Sequence, residues 1–209
     1  MVTVTAKKLD TDKLPRVAVM TAVFFVASLI HVPVGPTSVH LILSGLIGII
    51  LGPLAISAIL VGLILQALLF QHGGLTTLGV NTLVMALPAL AAWGLFRLLR
   101  PVRGITTLVT GMIAGGMATV LGALLLALAL VSTGDAFRPL AGYVLLAHIP
   151  VVVLEVLITG FTVSFLCRVK PEVLANAGIR QASKTPASTA APADAAPQKA
   201  RRYRADSGS

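Results

Sequence analysis

The chain has 209 residues, of which 56% are hydrophobic and 11% are charged, and its mean hydropathy is +0.96. These values exceed what a soluble domain of this length needs for one core, so they exclude a soluble globular protein and predict a polytopic membrane protein. The formal net charge is +9, but the basic residues gather in the head, one loop and the tail. This distribution favours membrane topology signals over a nucleic-acid surface.

Apolar stretches separated by breaks predict six membrane-spanning helices. They occupy residues 17–30, 39–51, 54–70, 76–99, 105–131 and 150–166. The second is short for a bilayer, at roughly 14 to 16 residues against about 20, so we expect it to be tilted or shielded by its neighbours. The sequence therefore predicts an all-α fold, a polytopic transmembrane helical bundle of about six spans.

A corner rich in proline and glycine, residues 31–40, separates the first predicted span from the second. Thr37 or Ser38 can cap the following helix, which places His40 in the first turn of that helix. A second break at residues 52–53, Gly-Pro, separates the second span from the third.

The last apolar stretch, residues 137–166, is too long for one upright span. About 30 residues at about 1.5 Å each give about 45 Å, against a hydrocarbon core of about 30 Å. We therefore expect Pro150 to break or kink the helix. A short tilted approach up to Ile149 is then followed by the sixth span.

Small residues at helical spacing predict close helix packing in two spans. In the fifth span they are Gly111, Gly115, Ala118 and Gly122, and in the second they are Ser44, Gly48 and Gly52. The alternative is that apolar helices simply contain many glycines.

The chain divides into three segments. Residues 1–14 form a polar head, residues 15–169 form the transmembrane domain, and residues 170–209 end in a tail whose Ala, Pro, Ser, Thr and Lys content from residue 181 onward predicts disorder. With six spans both termini share one side, and the basic residues of the head, of the loop at 97–103 and of the region after the last span fall on that side. By the positive-inside rule this side is the cytoplasm, so head and tail are predicted to be cytoplasmic.

All four histidines are then expected at the outer face of the membrane. His31 ends the first span, His40 begins the second, His72 ends the third and His148 approaches the last. A neutral imidazole binds Ni²⁺, Co²⁺ or Zn²⁺, so we predict a metal site with His40 and His72 as candidate ligands. For His31 and His148 an interfacial anchor or a helix-capping donor is an equal alternative.

Three further polar residues lie inside predicted spans. Burying a polar group in a bilayer costs free energy, so each is either satisfied by a neighbouring helix or used in function. We expect Asn81 to position a ligand or a loop, and Gln66 to form a hydrogen bond across helices. Glu155 is expected to pair with His148 or with a backbone donor.

Several chemistries find no support in the sequence. It contains no P-loop, no nucleophile motif and no paired catalytic carboxylates, so we expect neither ATP hydrolysis by this chain nor covalent catalysis. The single cysteine, Cys167, cannot form an internal disulfide and has no partner at zinc-finger spacing.

Two blocks of sequence carry a resemblance to a known family. Residues 31–41 are HVPVGPTSVHL, and residues 65–88 are LQALLFQHGGLTTLGVNTLVMALP. Over about residues 7–166 the chain resembles the CbiM/NikM-type substrate-capture subunits of energy-coupling-factor transporters for cobalt and nickel. The family's internal histidine ligand, in its Gly-Thr-Ser-x-His segment, matches His40. The loop after the third span matches residues 71–75, and the family's Gly-x-Asn matches residues 79–81.

The resemblance implies a membrane subunit that captures a divalent Co²⁺ or Ni²⁺ ion from outside the cell. A separate transmembrane coupling subunit and a pair of ATPase subunits would then drive its release inward, and a small accessory membrane subunit can join them. The transported ion is the only cofactor implied, and it would supply cobalamin synthesis or a nickel enzyme. His40 and His72 are the implied metal residues, with His31 and Asn81 in support around the ion or in a loop.

The chain departs from the family pattern at its start. Family members begin with Met-His, at the outer end of an additional first helix whose terminal amine, amide nitrogen and imidazole complete a square-planar site with the internal histidine. This chain begins Met1-Val2-Thr3, and residues 7–10 resemble the linker after that helix. We therefore expect that the true start lies upstream, that another chain supplies the helix, or that metal capture is lost or altered.

Two other functions stay open at this point. One is a non-binding assembly or regulatory subunit of such a transporter, which the departure at the start favours. The other is a capture subunit for a small organic vitamin, which the aromatic content of 5% disfavours.

Overall fold

The computed structural model describes residues 13–34, 37–71, 73–99, 101 and 104–177. Over these residues the chain forms six α-helices: α1 Leu14–Ser28, α2 Ser44–Leu51, α3 Ala55–Phe70, α4 Leu78–Leu99, α5 Ile105–Thr133 and α6 Arg138–Val169. Short 3-10 turns occupy Gly52–Leu54, Asp135–Phe137 and Pro171–Ala177. The predicted helical bundle is confirmed. The polar head before residue 13 and the predicted disordered tail lie outside the described residues.

Four stretches among these residues are long and apolar enough to cross a membrane: Ser44–Phe70, Leu78–Leu99, Ile105–Thr133 and Asp135–Val169. Helix α1 is apolar as well, but it has 15 residues, fewer than the roughly 20 that an upright span needs. On the inner side of α1, Phe24 is fully buried, and its ring lies against Gly62 of α3.

The first of these stretches, Ser44–Phe70, contains a reversal of the chain. Ser44 and Gln66 lie on the wall of one cavity, whereas an unbroken helix would hold them about 33 Å apart at about 1.5 Å per residue. The reversal lies at Gly52–Leu54, where Gly52 has a φ of +58°, a backbone conformation that favours glycine. The predicted break between the second and third spans is therefore confirmed.

A β-hairpin replaces the start of the predicted second span. Strands β1, His31–Val34, and β2, Thr37–His40, pair antiparallel, with His31 opposite His40. The prediction that Thr37 or Ser38 caps a helix, with His40 in its first turn, is wrong because both lie in β2 and helix α2 begins only at Ser44. Non-helical backbone is tolerated at membrane depth where it is covered by protein, and here the two strands satisfy each other's hydrogen bonds.

Helix α6 runs unbroken through Pro150. Of the predicted break or kink, the break is not found, because a proline removes one helical hydrogen bond but neighbouring helices allow membrane helices to accommodate it. Helix α6 has 32 residues, about 48 Å at about 1.5 Å per residue, so it exceeds the hydrocarbon thickness of about 30 Å.

Small residues allow close helix contacts, as predicted. A Cβ atom on Gly111 would lie 3.1 Å from the Cα of Gly160, and one on Gly45 would lie 2.7 Å from the Cα of Gly115. A Cβ atom on Gly48 would overlap the backbone of Ala89 in α4. These contacts hold α2, the helix that follows the hairpin, in place between α4 and α5.

Gly48→Ala is expected to destabilise the protein by about 1 to 3 kcal/mol, because the new methyl group overlaps backbone atoms that cannot rotate away. Thermal unfolding of the detergent-solubilised protein, followed by loss of helical circular dichroism, measures the effect. Gly94→Ala in α4 is the matched control, since a Cβ atom there meets nothing within 4 Å. A Gly48→Ala variant as stable as the Gly94→Ala variant would contradict this packing.

Candidate metal site

A cavity of about 220 Å³ lies where the hairpin meets the helices. It is enclosed by β2 and by parts of α2, α3, α4, α5 and α6. Its wall is mostly apolar, and among the described residues the polar side chains on it are His40, Ser44, Gln66, Asn81, Thr119 and His148. A mostly apolar cavity with a few converging polar groups is typical of a small-ligand site.

His40 enters this cavity from the end of β2 and is half-buried. The sequence favours a strand here because Val and Thr, which are β-branched, suit an extended backbone. Three residues, Leu41–Leu43, join the strand to α2, and Leu43 has a φ of +55°. A positive φ is uncommon for a residue with a branched side chain, so other contacts must hold this junction in place.

Glu155 of α6 holds the junction between β2 and α2. Its Oε1 accepts hydrogen bonds from the backbone N–H groups of Ile42, at 2.8 Å, and of Leu43, at 2.5 Å. The side chain is fully buried, and among the described residues its Oε2 has no hydrogen-bond partner. Of the two partners predicted for Glu155, the structure shows the backbone donor. The carboxylate thereby fixes the chain two residues after His40.

His148 lies inside the bundle, on the wall of the cavity. It is 6% exposed, so it is not a lipid-facing anchor. Its Nδ1 lies 2.7 Å from the carbonyl oxygen of Val144, one turn earlier in α6. Because a carbonyl only accepts, Nδ1 carries the proton, and Nε2 of a neutral ring keeps its lone pair.

The two polar residues predicted inside α3 and α4 have structural partners. The Nε2 of Gln66 donates to the hydroxyl of Ser28 in α1 at 2.8 Å, which confirms the predicted bond across helices. The Nδ2 of Asn81 faces the carbonyl oxygen of Gly73 at 3.4 Å and the hydroxyl of Thr77 at 3.3 Å. Asn81 therefore positions the loop between α3 and α4, one of its two predicted roles.

The structure brings together two of the four predicted site residues, His40 and Asn81, at one cavity. His72 and the side chain of His31 lie outside the described residues. Within the described ranges no group of three or more His, Cys, Asp and Glu residues could hold a metal ion. An ion bound here by described residues would thus depend on two imidazoles and on neutral oxygen donors.

Charge separates the two ends of the bundle. The cavity end carries the ion pair between Asp135 and Arg138, at 2.8 Å. At the other end the guanidinium of Arg16 donates to the carbonyl oxygens of Glu172 and Val173, which ties α1 to the turn after α6. The remaining basic residues of the described helices lie at that same end: Lys13, Arg97, Arg168 and Lys170.

Comparison with known proteins assigns the chain to a family. Residues 1–173 match the family model CbiM, described as the cobalt uptake substrate-specific transmembrane region. The chain belongs to the CbiM family. This is a family of membrane transport components and not of enzymes. The membrane-capable helices and this membership make the chain an integral, multi-pass membrane protein that serves as a subunit in metal transport.

Relatives of this CbiM-family chain include proteins named for metal transport. A Haemophilus influenzae protein so named is 39% identical over 171 residues, which cover 80% of this chain and 83% of the relative. A Methanocorpusculum labreanum protein named as cobalt transport protein CbiM 2 is 35% identical over 182 residues, which cover 82% of this chain and 79% of the relative. The crystal structure of a truncated transition metal transporter is 25% identical, with a TM-score of 0.62, over 80% of this chain and 86% of that one.

Sequence reasoning did not rank His148 among the metal residues. A signal was available, because His148 and Glu155 are seven residues apart and so lie on one face of a helix. Val144 and Val151, which complete that face, are also buried. Because Pro150 was expected to break or kink the helix, His148 and Glu155 were not placed on one helix face.

Proposed function

We propose that the chain is the substrate-capture component of an ATP-driven energy-coupling-factor importer for cobalt or nickel ions, and that the ion binds in the cavity beside His40. Membership of the CbiM family together with an imidazole on the wall of a mostly apolar cavity supports this proposal most directly. An imidazole nitrogen is a good ligand for divalent first-row metal ions such as Co²⁺ and Ni²⁺.

His72 is proposed as a second ligand. Its neighbour Gly73 lies on the cavity wall and has a φ of +75°. A Cβ atom on Gly73 would lie 2.9 Å from the Nδ2 of Asn81, so the loop approaches α4 closely at this point. The contacts of Asn81 with this loop support its proposed role in positioning the ligand set.

The orientation of the bundle is part of the proposal. Five basic residues of the described helices and turns lie at the end opposite the cavity, and the positive-inside rule places such an end in the cytoplasm. The cavity then opens toward the outside, where capture has to begin. Residues 15–169 would form the metal-capture domain, with residues 1–14 and 170–209 in the cytoplasm.

The proposed partners are a transmembrane coupling subunit and paired ATPase subunits, with a small accessory membrane subunit as a further component. The sequence contains no P-loop, which supports placing ATP hydrolysis on separate chains. A non-binding assembly or regulatory subunit is the second candidate, favoured by the small number of ionisable metal ligands among the described residues.

Radioactive cobalt and nickel uptake tests this function in cells that express the chain with its coupling and ATPase subunits. We expect uptake that needs all the subunits and stops when the ATPase is inactivated. Uptake that is unchanged when this chain is omitted would contradict the proposal. A chain that supports uptake but binds no metal when purified would instead establish the assembly subunit.

A further inference from the structure

We infer that His148 is a metal ligand of the cavity, with its Nε2 as the donor atom. The inference rests on the proposed function, because it concerns the ion captured there. It adds a donor from α6 to the cavity that His40 lines from the end of the hairpin.

The first support is the hydrogen bond at the other ring nitrogen. The 2.7 Å contact between Nδ1 and the carbonyl oxygen of Val144 sets the tautomer and the plane of the ring. Metal-ligating histidines commonly donate their second N–H group to a carbonyl or a carboxylate, which orients the ring and makes the ligating nitrogen more basic. The arrangement at His148 has this form.

The second support is the position of the ring. His148 is 6% exposed, yet it lies on the wall of the same cavity as His40. In the part of the chain that the structure describes, the only hydrogen bond of His148 is the one at Nδ1. The lone pair of Nε2 is therefore available to an ion in the cavity.

The third support is the connection between the two histidines. Glu155, on the same face of α6 as His148, binds the backbone directly after His40 through Ile42 and Leu43. One helix therefore carries one imidazole and also holds the junction that follows the strand carrying the other. This rigid link keeps both rings beside a common space of about 220 Å³.

Metal titration of purified protein, with X-ray absorption to count imidazole ligands, tests the inference. We compare the wild type with His148→Gln, which keeps a hydrogen-bond donor but has no imidazole. The dissociation constant for Co²⁺ should rise by at least about 10-fold, since loss of a ligand should cost no less than loss of the group that orients it. The number of imidazoles on the ion should fall by one. The control is Leu146→Ala, on the exposed, lipid-facing side of the same helix, and it should behave as the wild type.

Each outcome decides the matter. If His148→Gln binds Co²⁺ with wild-type affinity and imidazole count, the inference is overturned and the proposed function stands. If the wild type binds no metal, both are overturned. Should His148→Gln fail to fold, carbethoxylation of wild-type histidines, mapped by mass spectrometry, decides instead: Co²⁺ must protect His148, and equal labelling with and without Co²⁺ overturns the inference.

Discussion

Replacing Glu155 by leucine is expected to lower the free energy of unfolding by about 2 kcal/mol or more. The variant leaves the N–H groups of Ile42 and Leu43 without the acceptor that they share. Each buried donor without a partner costs about 1 to 3 kcal/mol, and relief from burying the carboxylate offsets part of that loss. The strained junction at Leu43, with its φ of +55°, also loses its support. Unfolding in detergent, followed by circular dichroism, measures the effect.

Two further variants make this prediction specific. Glu155→Gln keeps an oxygen in the place of Oε1, so it should lose less than half as much stability as the leucine variant. Glu172→Leu removes an exposed carboxylate whose backbone, and not its side chain, binds Arg16. It should change stability by no more than about 0.5 kcal/mol. A leucine variant at position 155 that is as stable as the wild type would show that the junction does not depend on Glu155.

His40→Ala is expected to weaken Co²⁺ and Ni²⁺ binding by about 100-fold or more and to abolish uptake. Loss of a group that only orients a ligand costs about 10- to 100-fold in metal affinity, and loss of a ligand itself should reach or exceed the upper end. The effect on folding should be small, because His40 is half-buried at the end of a strand. Competition titration of the purified variant gives the affinity, and radiometal uptake gives the transport.

The matched control is Ser132→Ala, in the last turns of α5 near the cavity end of the bundle. Its hydroxyl donates only to the carbonyl oxygen of Ala129 in its own helix, so affinity and uptake should stay at wild-type levels. Unchanged uptake by His40→Ala would remove His40 from the site. Equal loss in both variants would indicate a general effect on the protein.

The long helices could be predicted from the sequence because each is one continuous apolar stretch. The predicted fourth and fifth spans end within two residues of the observed α4 and α5. The break before α3 could also be predicted, because Gly52 and Pro53 interrupt an otherwise apolar stretch. The hydrophobicity of a stretch determines whether it forms a membrane-spanning helix, and hydrophobicity is a property of the local sequence.

The hairpin and the continuous α6 could not be predicted in the same way. A pair of four-residue strands gives too short a pattern to compete with the expectation of helix in a membrane. Pro150 would break a helix in water, but packing inside a bundle decides its effect in a membrane. Both features depend on contacts between distant parts of the chain.

The candidate site was only partly predictable for the same reason. His40 could be identified from the clustering of histidines at one face of the membrane. Glu155 and Asn81 could be identified because burying a polar group in a bilayer costs free energy. Yet the partner of Glu155 lies 112 residues away in the sequence, and no local pattern indicates it. The placement of His148 on the same cavity as His40 likewise depends on contacts between distant parts of the chain.

We propose that this chain binds a transition metal ion in the cavity that β2 and helices α2 to α6 enclose. Crystals of the full chain grown with Co²⁺, measured at the cobalt absorption edge, locate the ion directly. We predict one anomalous peak in the cavity, about 2.0 to 2.2 Å from a ring nitrogen of His40, a distance usual for imidazole on such ions. No peak in the cavity, or a peak only at the basic end of the bundle, would contradict the claim.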